Sequence, residues 1–218
     1  MKRVRGERFD DFVRGDRTRA ELLRVFLQMC DAVSFAHASG VVHRDLKPQN
    51  VMLGAFGEVL VLDWGVAKTT RRDADRNDDG ILATAAGTPG YMAPEQAQGA
   101  VDQRSDVFGL GGILFFLLTR SHPSPGLETA TQWNGHDVPA ALRAICEHAR
   151  ADDPLSRYPT VAALAADVAN YLDALPVAAH AEGVVERLKR VTARHRTAIL
   201  LVLAYLGMRV ALLLFARR

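Results

Sequence analysis

The residues HRDLKPQN at 43–50 are followed along the chain by DWG at 63–65, GTPGYMAPE at 87–95 and Asp106. Short β-rich runs, interrupted by glycine and polar residues as in small hairpins, surround the first two stretches at Val41–Val42, 51–53 and 59–62. Residues 69–86 are charged and poor in large apolar side chains, which predicts a long surface loop. A site is therefore expected between the hairpins.

Upstream of these stretches, residues 18–40 predict one amphipathic helix. Apolar residues recur there at steps of three and four, at Leu22, Phe26, Met29, Val33 and Ala36. Thr18 and Glu21 form a capping box that begins the helix, and Gly40 ends it. The helix is thus predicted to end just before the first β-rich run.

Downstream, the run DVFGLGGILFFLLT at 106–119 is apolar nearly all round, which predicts a helix buried in the middle of a domain. Its 14 residues are too few to cross a bilayer. Two further helical patterns follow at 138–150 and 161–175. The predicted fold is therefore mainly α, with short β-hairpins around 43–65.

Taken together, these stretches resemble the protein-kinase family. HRDLKPQN closely follows the kinase catalytic loop H-R-D-L-x-x-x-N, and DWG is similar to the metal-binding D-F-G with Trp in place of Phe. Lys47, with Thr88 in the GTPGY run, looks like the serine/threonine branch. The resemblance is to bacterial Hanks-type serine/threonine kinases, and it implies a kinase-like C-terminal lobe with hairpins at the catalytic and metal-binding loops.

The resemblance also implies the chemistry and its cofactors, ATP and Mg²⁺. Phosphoryl transfer needs metal ions to neutralise phosphate charge and a carboxylate to orient the attacking hydroxyl. Asp45 is the implied catalytic base, and Lys47 is the implied contact to the transferring phosphate. Asn50 and Asp63 are the implied Mg²⁺ ligands, being hard oxygen donors. Met52 is expected under the adenine, with ordinary hairpin core as the alternative.

Other residues correspond to the family's framework. His43 and Trp64 are expected to stack, and Asp106 is expected to hold the backbone of the catalytic loop. Glu95 is expected to pair with Arg157 at the base of the activation segment. A buried pair of this kind leaves a costly unpaired charge when one partner is removed.

Regulation by phosphorylation is a further expectation from the resemblance. Arg44 precedes the implied base, and a phosphate on the activation loop would give it a charge-assisted partner. Thr84 stands where the family's activating phosphate usually sits. Thr69 and Thr70 are weaker candidates, and an ordinary loop threonine is the alternative for each.

Protein kinases also carry a glycine-rich strand–turn–strand over the phosphates, a lysine on the third strand and its glutamate partner. No such pattern precedes residue 18, and the glycine cluster at 109–112 lies inside the predicted buried helix. Met1–Arg3 resembles the hinge between the two kinase lobes. Residues 1–175 are therefore expected to correspond to the C-terminal lobe alone, with little or no autonomous catalysis.

Composition narrows the class of protein. With 218 residues, 49% of them hydrophobic, the chain can bury a substantial core. A net charge of only +2 argues against a nucleic-acid partner. Cys30 and Cys146 have no paired spacing for a disulfide framework or a zinc site. Residues 75–86 begin like an EF-hand loop but end in Ala86 instead of glutamate, so calcium is not predicted.

The segment TAILLVLAYLGMRVALLLFA at 197–216 has the length of a membrane span, with Arg209 as the main obstacle. A central arginine costs about 2.5–3.5 kcal/mol, whereas the eleven Leu, Ile, Val and Phe residues return about 3–7 kcal/mol. The basic juxtamembrane linker at 176–196 outweighs the cations at 217–218, which predicts a single-pass protein with residues 1–196 in the cytoplasm. An interfacial helix and a buried terminal helix are the alternatives.

Two functional hypotheses follow. The first is a truncated relative or fragment of a membrane-anchored serine/threonine kinase, whose partners are ATP, protein substrates bearing Ser or Thr, and the membrane. The second is a non-catalytic kinase-like module at the membrane that binds kinases or their substrates without turnover. The intact Asp45, Asn50 and Asp63 favour descent from an active kinase. A second copy of the chain is a further candidate partner.

Overall fold

A computed structural model of the chain describes residues 6–64, 68–69, 90–124, 133–180, 183, 205, 208 and 209. Its α-helices are α1 (Phe9–Arg14), α2 (Arg19–Ala38), α3 (Gln103–Thr119), α4 (Ala140–Ala149) and α5 (Val161–Leu172). Its strands are β1 (Gly6–Arg8), β2 (Val41–Val42), β3 (Val51–Gly54), β4 (Val59–Val61) and β5 (Lys68–Thr69). Short 3₁₀ turns span Pro48–Asn50, Pro94–Gln98 and Pro154–Ser156. The described chain is thus mainly α, as predicted.

The strands form two small antiparallel sheets that hold the HRDLKPQN loop at both ends. β3 is central between β1 and β4, and β2 pairs with β5. The hairpin predicted from the β-rich runs is confirmed as β3–β4, in which Met52 pairs with Leu60. Val42 pairs with Lys68, so the chain after DWG returns to the strand that precedes the loop.

Helix α2 begins with the predicted capping box. The Thr18 backbone N–H donates to Glu21 Oε2 at 2.8 Å, and the Glu21 backbone N–H donates to Thr18 Oγ1 at 3.2 Å. The helix ends at Ala38, and Gly40 then adopts a φ of 76°, a left-handed conformation that favours glycine. Its apolar stripe is buried at Leu22, Phe26, Met29 and Val33.

Helix α3 is buried around most of its surface because three other parts of the lobe pack directly against it. Its glycines each lie against a different neighbour: Gly109 against Leu46 of the catalytic loop, Gly112 against Tyr91, and Gly111 against Arg150 after α4. A side chain at Gly111 or Gly112 would overlap these neighbours. The glycine cluster therefore allows close packing and, as predicted, lies within the helix.

The start of α3 differs from the predicted start at Asp106. The helix begins at Gln103, because the Asp102 side chain accepts a hydrogen bond from the Arg104 backbone N–H at 2.7 Å and caps the first turn. Asp106 is consequently a first-turn residue whose side chain is directed at the catalytic loop.

Helices α4 and α5 confirm the two C-terminal helical patterns, although both are shorter than the patterns. Thr160 caps α5 by accepting a hydrogen bond from the Ala163 backbone N–H at 3.1 Å. The helix ends at Leu172 because Ala174 adopts a φ of 52° and the Leu175 N–H turns back to Asn170 O at 2.7 Å. α5 packs on α2, and α4 packs on α3.

No helix or strand was predicted for residues 6–14 from the sequence. Residues 6–14 form β1 and α1, and Phe9 and Val13 of α1 are fully buried. Phe12 is partly buried against the same core, but the helix is only six residues long and includes Asp10 and Asp11, so its apolar pattern is too short to stand out in the sequence.

The two cysteines are free and buried, in keeping with their spacing in the sequence. Burial raises the pKa of Cys146 to about 12, and its thiol donates to the Gly111 carbonyl oxygen at 3.3 Å. A thiol with so high a pKa stays protonated at neutral pH and acts as a packing group.

Some predicted features lie outside the described residues: Thr70, Thr84, Thr88, the EF-hand-like run at 75–86 and most of the apolar segment at 197–216. Of that segment, Tyr205, Met208 and Arg209 are described. Within the described part of the chain, no helix is long and apolar enough to cross a membrane.

Candidate active site

Asp45 lies at the centre of the loop between β2 and β3. Its carboxylate oxygen Oδ2 forms an ion pair with Lys47 Nζ at 2.8 Å and accepts a hydrogen bond from Asn50 Nδ2 at 3.1 Å. The side chains of Asp45 and Lys47 are 14% and 20% exposed, so both can be reached from solvent. The loop thus presents a carboxylate whose one oxygen is fixed by two donors.

The Asn50 amide has a defined orientation. Its Nδ2 group donates to the Asp45 backbone oxygen at 2.7 Å and to Asp45 Oδ2, and both of these atoms are acceptors. The amide nitrogen therefore faces Asp45, and the carbonyl oxygen Oδ1 faces the other way. An amide oxygen held in this manner is a suitable ligand for a hard cation such as Mg²⁺.

Asp63 is the second predicted metal ligand, and the backbone ties it to Asn50. The Leu62 N–H, one residue before Asp63, donates to the Asn50 carbonyl oxygen at 2.7 Å. Asp63 itself is exposed and has a φ of 61°, which is an unusual conformation for a residue with a Cβ atom. This hydrogen bond holds the backbone before Asp63 next to Asn50, and the side chains of both residues carry oxygen atoms of the kind that fits Mg²⁺.

His43 and Trp64 are in contact, as the resemblance implied. Their ring centroids are 4.6 Å apart at an interplanar angle of 58°. His43 Nε2 donates to the Leu62 carbonyl oxygen at 2.9 Å, and its Nδ1 accepts from the Asp45 backbone N–H at 3.3 Å. This pattern fits the neutral imidazole with its proton on Nε2. The buried His43 ring thus links Leu62, just before the DWG stretch, to the backbone of Asp45.

Asp106 holds the catalytic-loop backbone by hydrogen bonds to two successive residues. Its carboxylate accepts from the backbone N–H groups of His43 and Arg44, both at 2.8 Å. His37 Nε2 lies 2.7 Å from the same carboxylate, and its side chain is only 7% exposed. No role was predicted for His37 from the sequence. Its position near the end of α2, just before β2, was the available signal.

Glu95 and Arg157 form the predicted ion pair, which is bidentate. Arg157 Nη1 and Nη2 donate to the two Glu95 carboxylate oxygens at 2.7 and 2.8 Å. The remaining guanidinium N–H groups donate to three backbone carbonyl oxygens, those of Arg104, Ala151 and Asp152. Ser105 Oγ also donates to Glu95 at 2.8 Å. All five donors of the fully buried Arg157 side chain are therefore used.

The environment of Glu95 lowers its pKa. Burial by itself raises the pKa of this carboxyl, but hydrogen bonds from Arg157, from the backbone and from Ser105 outweigh burial. The net pKa lies below the ordinary value of 4.5. Glu95 is consequently ionised at neutral pH, as the ion pair requires.

The remaining predicted site residues are placed as follows. Met52 is a half-buried residue of the central strand β3 and pairs with Leu60, a position that fits either predicted role. Thr84 and Thr88 lie outside the described residues. No group of three or more His, Cys, Asp or Glu side chains that could hold a metal is present among the residues that are described.

Sequence comparison identifies a family and relatives that match most of the chain. The profile of the family described as "Protein kinase domain" matches residues 1–197. The serine/threonine-protein kinase PknD of Protochlamydia amoebophila is 34% identical over 181 residues, which cover 70% of this chain and 18% of that protein. PknB of Mycobacterium tuberculosis is 36% identical over 186 residues, covering 77% of this chain and 29% of that protein. The chain therefore spans less than a third of the length of these relatives.

Proposed function

This chain belongs to the protein kinase family, and from that membership we propose that it carries the catalytic loop of a serine/threonine kinase that transfers the γ-phosphate of ATP to protein hydroxyls. The observation that supports this most directly is the fixed carboxylate of Asp45. Lys47 and Asn50 both engage Oδ2, which leaves Oδ1 to accept a hydrogen bond from a substrate hydroxyl. A base within hydrogen-bond reach of the hydroxyl is what phosphoryl transfer requires of the protein.

The neighbouring side chains supply the remaining chemistry in this proposal. Lys47 is a compact positive charge beside Asp45 and contacts the transferring phosphate. Asn50 and Asp63 would hold Mg²⁺ through oxygen atoms, and the metal would supply positive charge that neutralises the phosphates. The protein's own contribution is to hold Asp45 and the hydroxyl in line.

Phosphoryl transfer also needs a glycine-rich strand–turn–strand over the phosphates of ATP. Among the described residues there is no glycine-rich strand–turn–strand preceding α2. We therefore propose that residues 1–196 give little or no turnover unless such a lobe is supplied, either by the same polypeptide or by a partner. The alternative function is a non-catalytic module that binds kinases or their substrates.

The test is a phosphotransfer assay in two formats. The chain is incubated with radiolabelled ATP, Mg²⁺ and a mixture of unfolded protein acceptors, once alone and once fused to the glycine-rich lobe of an active bacterial serine/threonine kinase. We expect phosphoserine or phosphothreonine only from the fusion, and only when Mg²⁺ is present. If the folded fusion binds ATP but produces neither phosphoamino acid, the catalytic proposal fails and the non-catalytic module stands.

We also propose that residues 197–216 anchor the chain in a membrane, with the lobe in the cytoplasm. The composition of the segment supports this proposal. Arg209 Nη1 lies 3.3 Å from the hydroxyl of Tyr205, one helical turn earlier, so the guanidinium has a polar partner along its own segment. An arginine with a polar partner is less costly in the membrane than an isolated one in hydrocarbon.

Membrane anchoring predicts that the full chain stays in the membrane pellet after a carbonate wash. A variant with Leu212, Leu213 and Leu214 replaced by aspartate should move to the supernatant, because each aspartate costs up to about 2.5–3.5 kcal/mol in a membrane helix, the upper figure applying at its centre. Replacement of the same leucines by isoleucine is the matched control and should remain in the pellet. Release of the unaltered chain into the supernatant would contradict the anchor.

A further inference from the structure

Gln96, in the 3₁₀ turn Pro94–Gln98, connects the end of the activation segment to the catalytic loop. Its amide nitrogen Nε2 donates to the backbone carbonyl oxygen of Arg44 at 2.8 Å. Its amide oxygen Oε1 accepts from the backbone N–H of Ala93, also at 2.8 Å. Both ends of the amide are used, so the orientation of the side chain is determined and its reach is fixed.

The Arg44 peptide that Gln96 contacts has an unusual conformation. Arg44 has a φ of 73°, in the left-handed region that disfavours residues with a Cβ atom. Such a conformation persists only when the surroundings hold it in place. The Arg44 N–H donates to Asp106 Oδ1 at 2.8 Å, and the Arg44 carbonyl accepts from Gln96. The side chain of Asp106 from α3 therefore holds the backbone N–H of Arg44, and the side chain of Gln96 from the 3₁₀ turn holds its backbone carbonyl.

This backbone conformation sets the direction of the next side chain, which is that of Asp45. Rotation about the Arg44 backbone would move the Asp45 carboxylate away from Lys47 and Asn50, which otherwise fix its Oδ2 atom. A displacement of about 1 Å at a reacting group is enough to lower the rate of a reaction roughly 100-fold. The Gln96 contact therefore acts on the position of the base without touching it.

The turn that carries Gln96 is itself anchored. The preceding residue, Glu95, accepts hydrogen bonds from both terminal nitrogen atoms of the buried Arg157 guanidinium and from Ser105 Oγ. A shift of the turn would have to break this bidentate pair. The position of Gln96 thus reports whether the end of the activation segment is docked on the lobe.

We propose that Gln96 is a positioning residue for Asp45, and that it makes the alignment of the base depend on docking of the 3₁₀ turn that ends the activation segment. This inference rests on the proposed kinase function for its catalytic consequence. Its structural part, the stabilisation of the left-handed Arg44 peptide, concerns the lobe alone.

Gln96→Glu is the variant that isolates the contact. A glutamate has the same shape and can still accept from the Ala93 N–H, but it offers no donor to the Arg44 carbonyl and places negative charge against it. Gln98→Glu is the matched control, because Gln98 lies in the same turn with an exposed side chain. Both variants add the same charge to the same segment.

Hydrogen exchange of the full chain gives a readout that does not depend on catalysis. For Gln96→Glu we expect the amides of residues 43–46 to exchange about tenfold faster than in the unaltered chain. The control should match the unaltered chain. Equal exchange in all three proteins would overturn the proposal, whether or not the chain is a kinase.

The kinetic readout uses the lobe fusion described above. We expect Gln96→Glu to lower kcat about 10- to 100-fold, with the KM for ATP within about twofold, because the contact orients the base and not the nucleotide. An unchanged kcat, or an equal loss for Gln98→Glu, would overturn the positioning role. If the unaltered fusion itself transfers no phosphate, the proposed function fails, and the exchange experiment alone decides the inference about Gln96.

Discussion

Replacement of Asp45 by asparagine in the lobe fusion is expected to lower kcat about 100- to 10,000-fold, which is the range that a general base contributes. The geometry determines how the new side chain will sit. Lys47 and Asn50 both donate to the position of Oδ2, so the amide oxygen of the asparagine must occupy that position. The amide nitrogen then faces the substrate hydroxyl, and it can donate a hydrogen bond but cannot accept the proton.

The same substitution should leave nucleotide binding nearly unchanged. In the proposed arrangement, Asp45 contacts the hydroxyl of the substrate and the metal ligands are Asn50 and Asp63, so the KM for ATP should stay within about threefold. Asp31→Asn is the matched control. Asp31 is an exposed residue of α2, and its loss removes the same charge without touching the loop. Activity of Asp45→Asn within threefold of the unaltered fusion would exclude Asp45 as the base.

Local hydrogen-bonding patterns were predictable from the sequence because they depend on short and fixed spacings. The capping box of Thr18 and Glu21 needs only the right residue types three positions apart, and it is present as predicted. The hairpin β3–β4 and the buried α3 also followed from the pattern of apolar residues. The N-terminal helix α1 did not, because its six residues are too few to show a clear apolar period.

Contacts between residues that are distant in sequence were predicted on a different basis. The pair Glu95–Arg157 joins residues far apart in sequence, and spacing alone could not predict it. It was expected only because the stretch GTPGYMAPE resembles the kinase family. The resemblance therefore supplied tertiary information that composition and periodicity do not contain.

The contacts of the site that were missed from the sequence are those of Gln96 and His37. Gln96 donates to the carbonyl oxygen of Arg44, and every residue has such a carbonyl, so no residue type marks the acceptor. The left-handed conformation of Arg44 was equally hidden, because arginine has no preference for it. His37 has a side-chain partner in Asp106, but the two lie on different helices whose relative position the sequence does not give.

Arg157→Met is expected to lower the free energy of unfolding of the chain by about 3–5 kcal/mol, the usual cost of removing one member of a buried ion pair. The substitution leaves the Glu95 carboxylate without its bidentate partner and three backbone carbonyls without their guanidinium donors. It also removes the guanidinium carbon that lies 4.9 Å from the centroid of the Phe108 ring. A lysine at the same position should recover only part of the loss, since one ammonium cannot replace five directed donors.

Denaturant titration of the full chain measures this loss. Arg24→Met is the matched control, because Arg24 is exposed on α2 and its replacement should change the free energy of unfolding by less than about 0.5 kcal/mol. If Arg157→Met fails to fold, Arg157→Lys provides the measurement. A loss below about 1 kcal/mol in both Arg157 variants would contradict a stabilising role for the pair.

The pH dependence of the free energy of unfolding provides an independent test of the same ion pair. The pKa of Glu95 in the folded chain lies below its ordinary value of 4.5, because the hydrogen bonds from Arg157, the backbone and Ser105 outweigh the opposing effect of burial. The ionised carboxylate therefore stabilises the fold above pH 4.5, and this contribution is lost as the pH falls through the lower, folded-state pKa. The difference in stability between the unaltered chain and Glu95→Gln should be constant near neutral pH and shrink in that acidic range. A difference that instead grows on acidification would mean that burial dominates and that the pKa of Glu95 is raised.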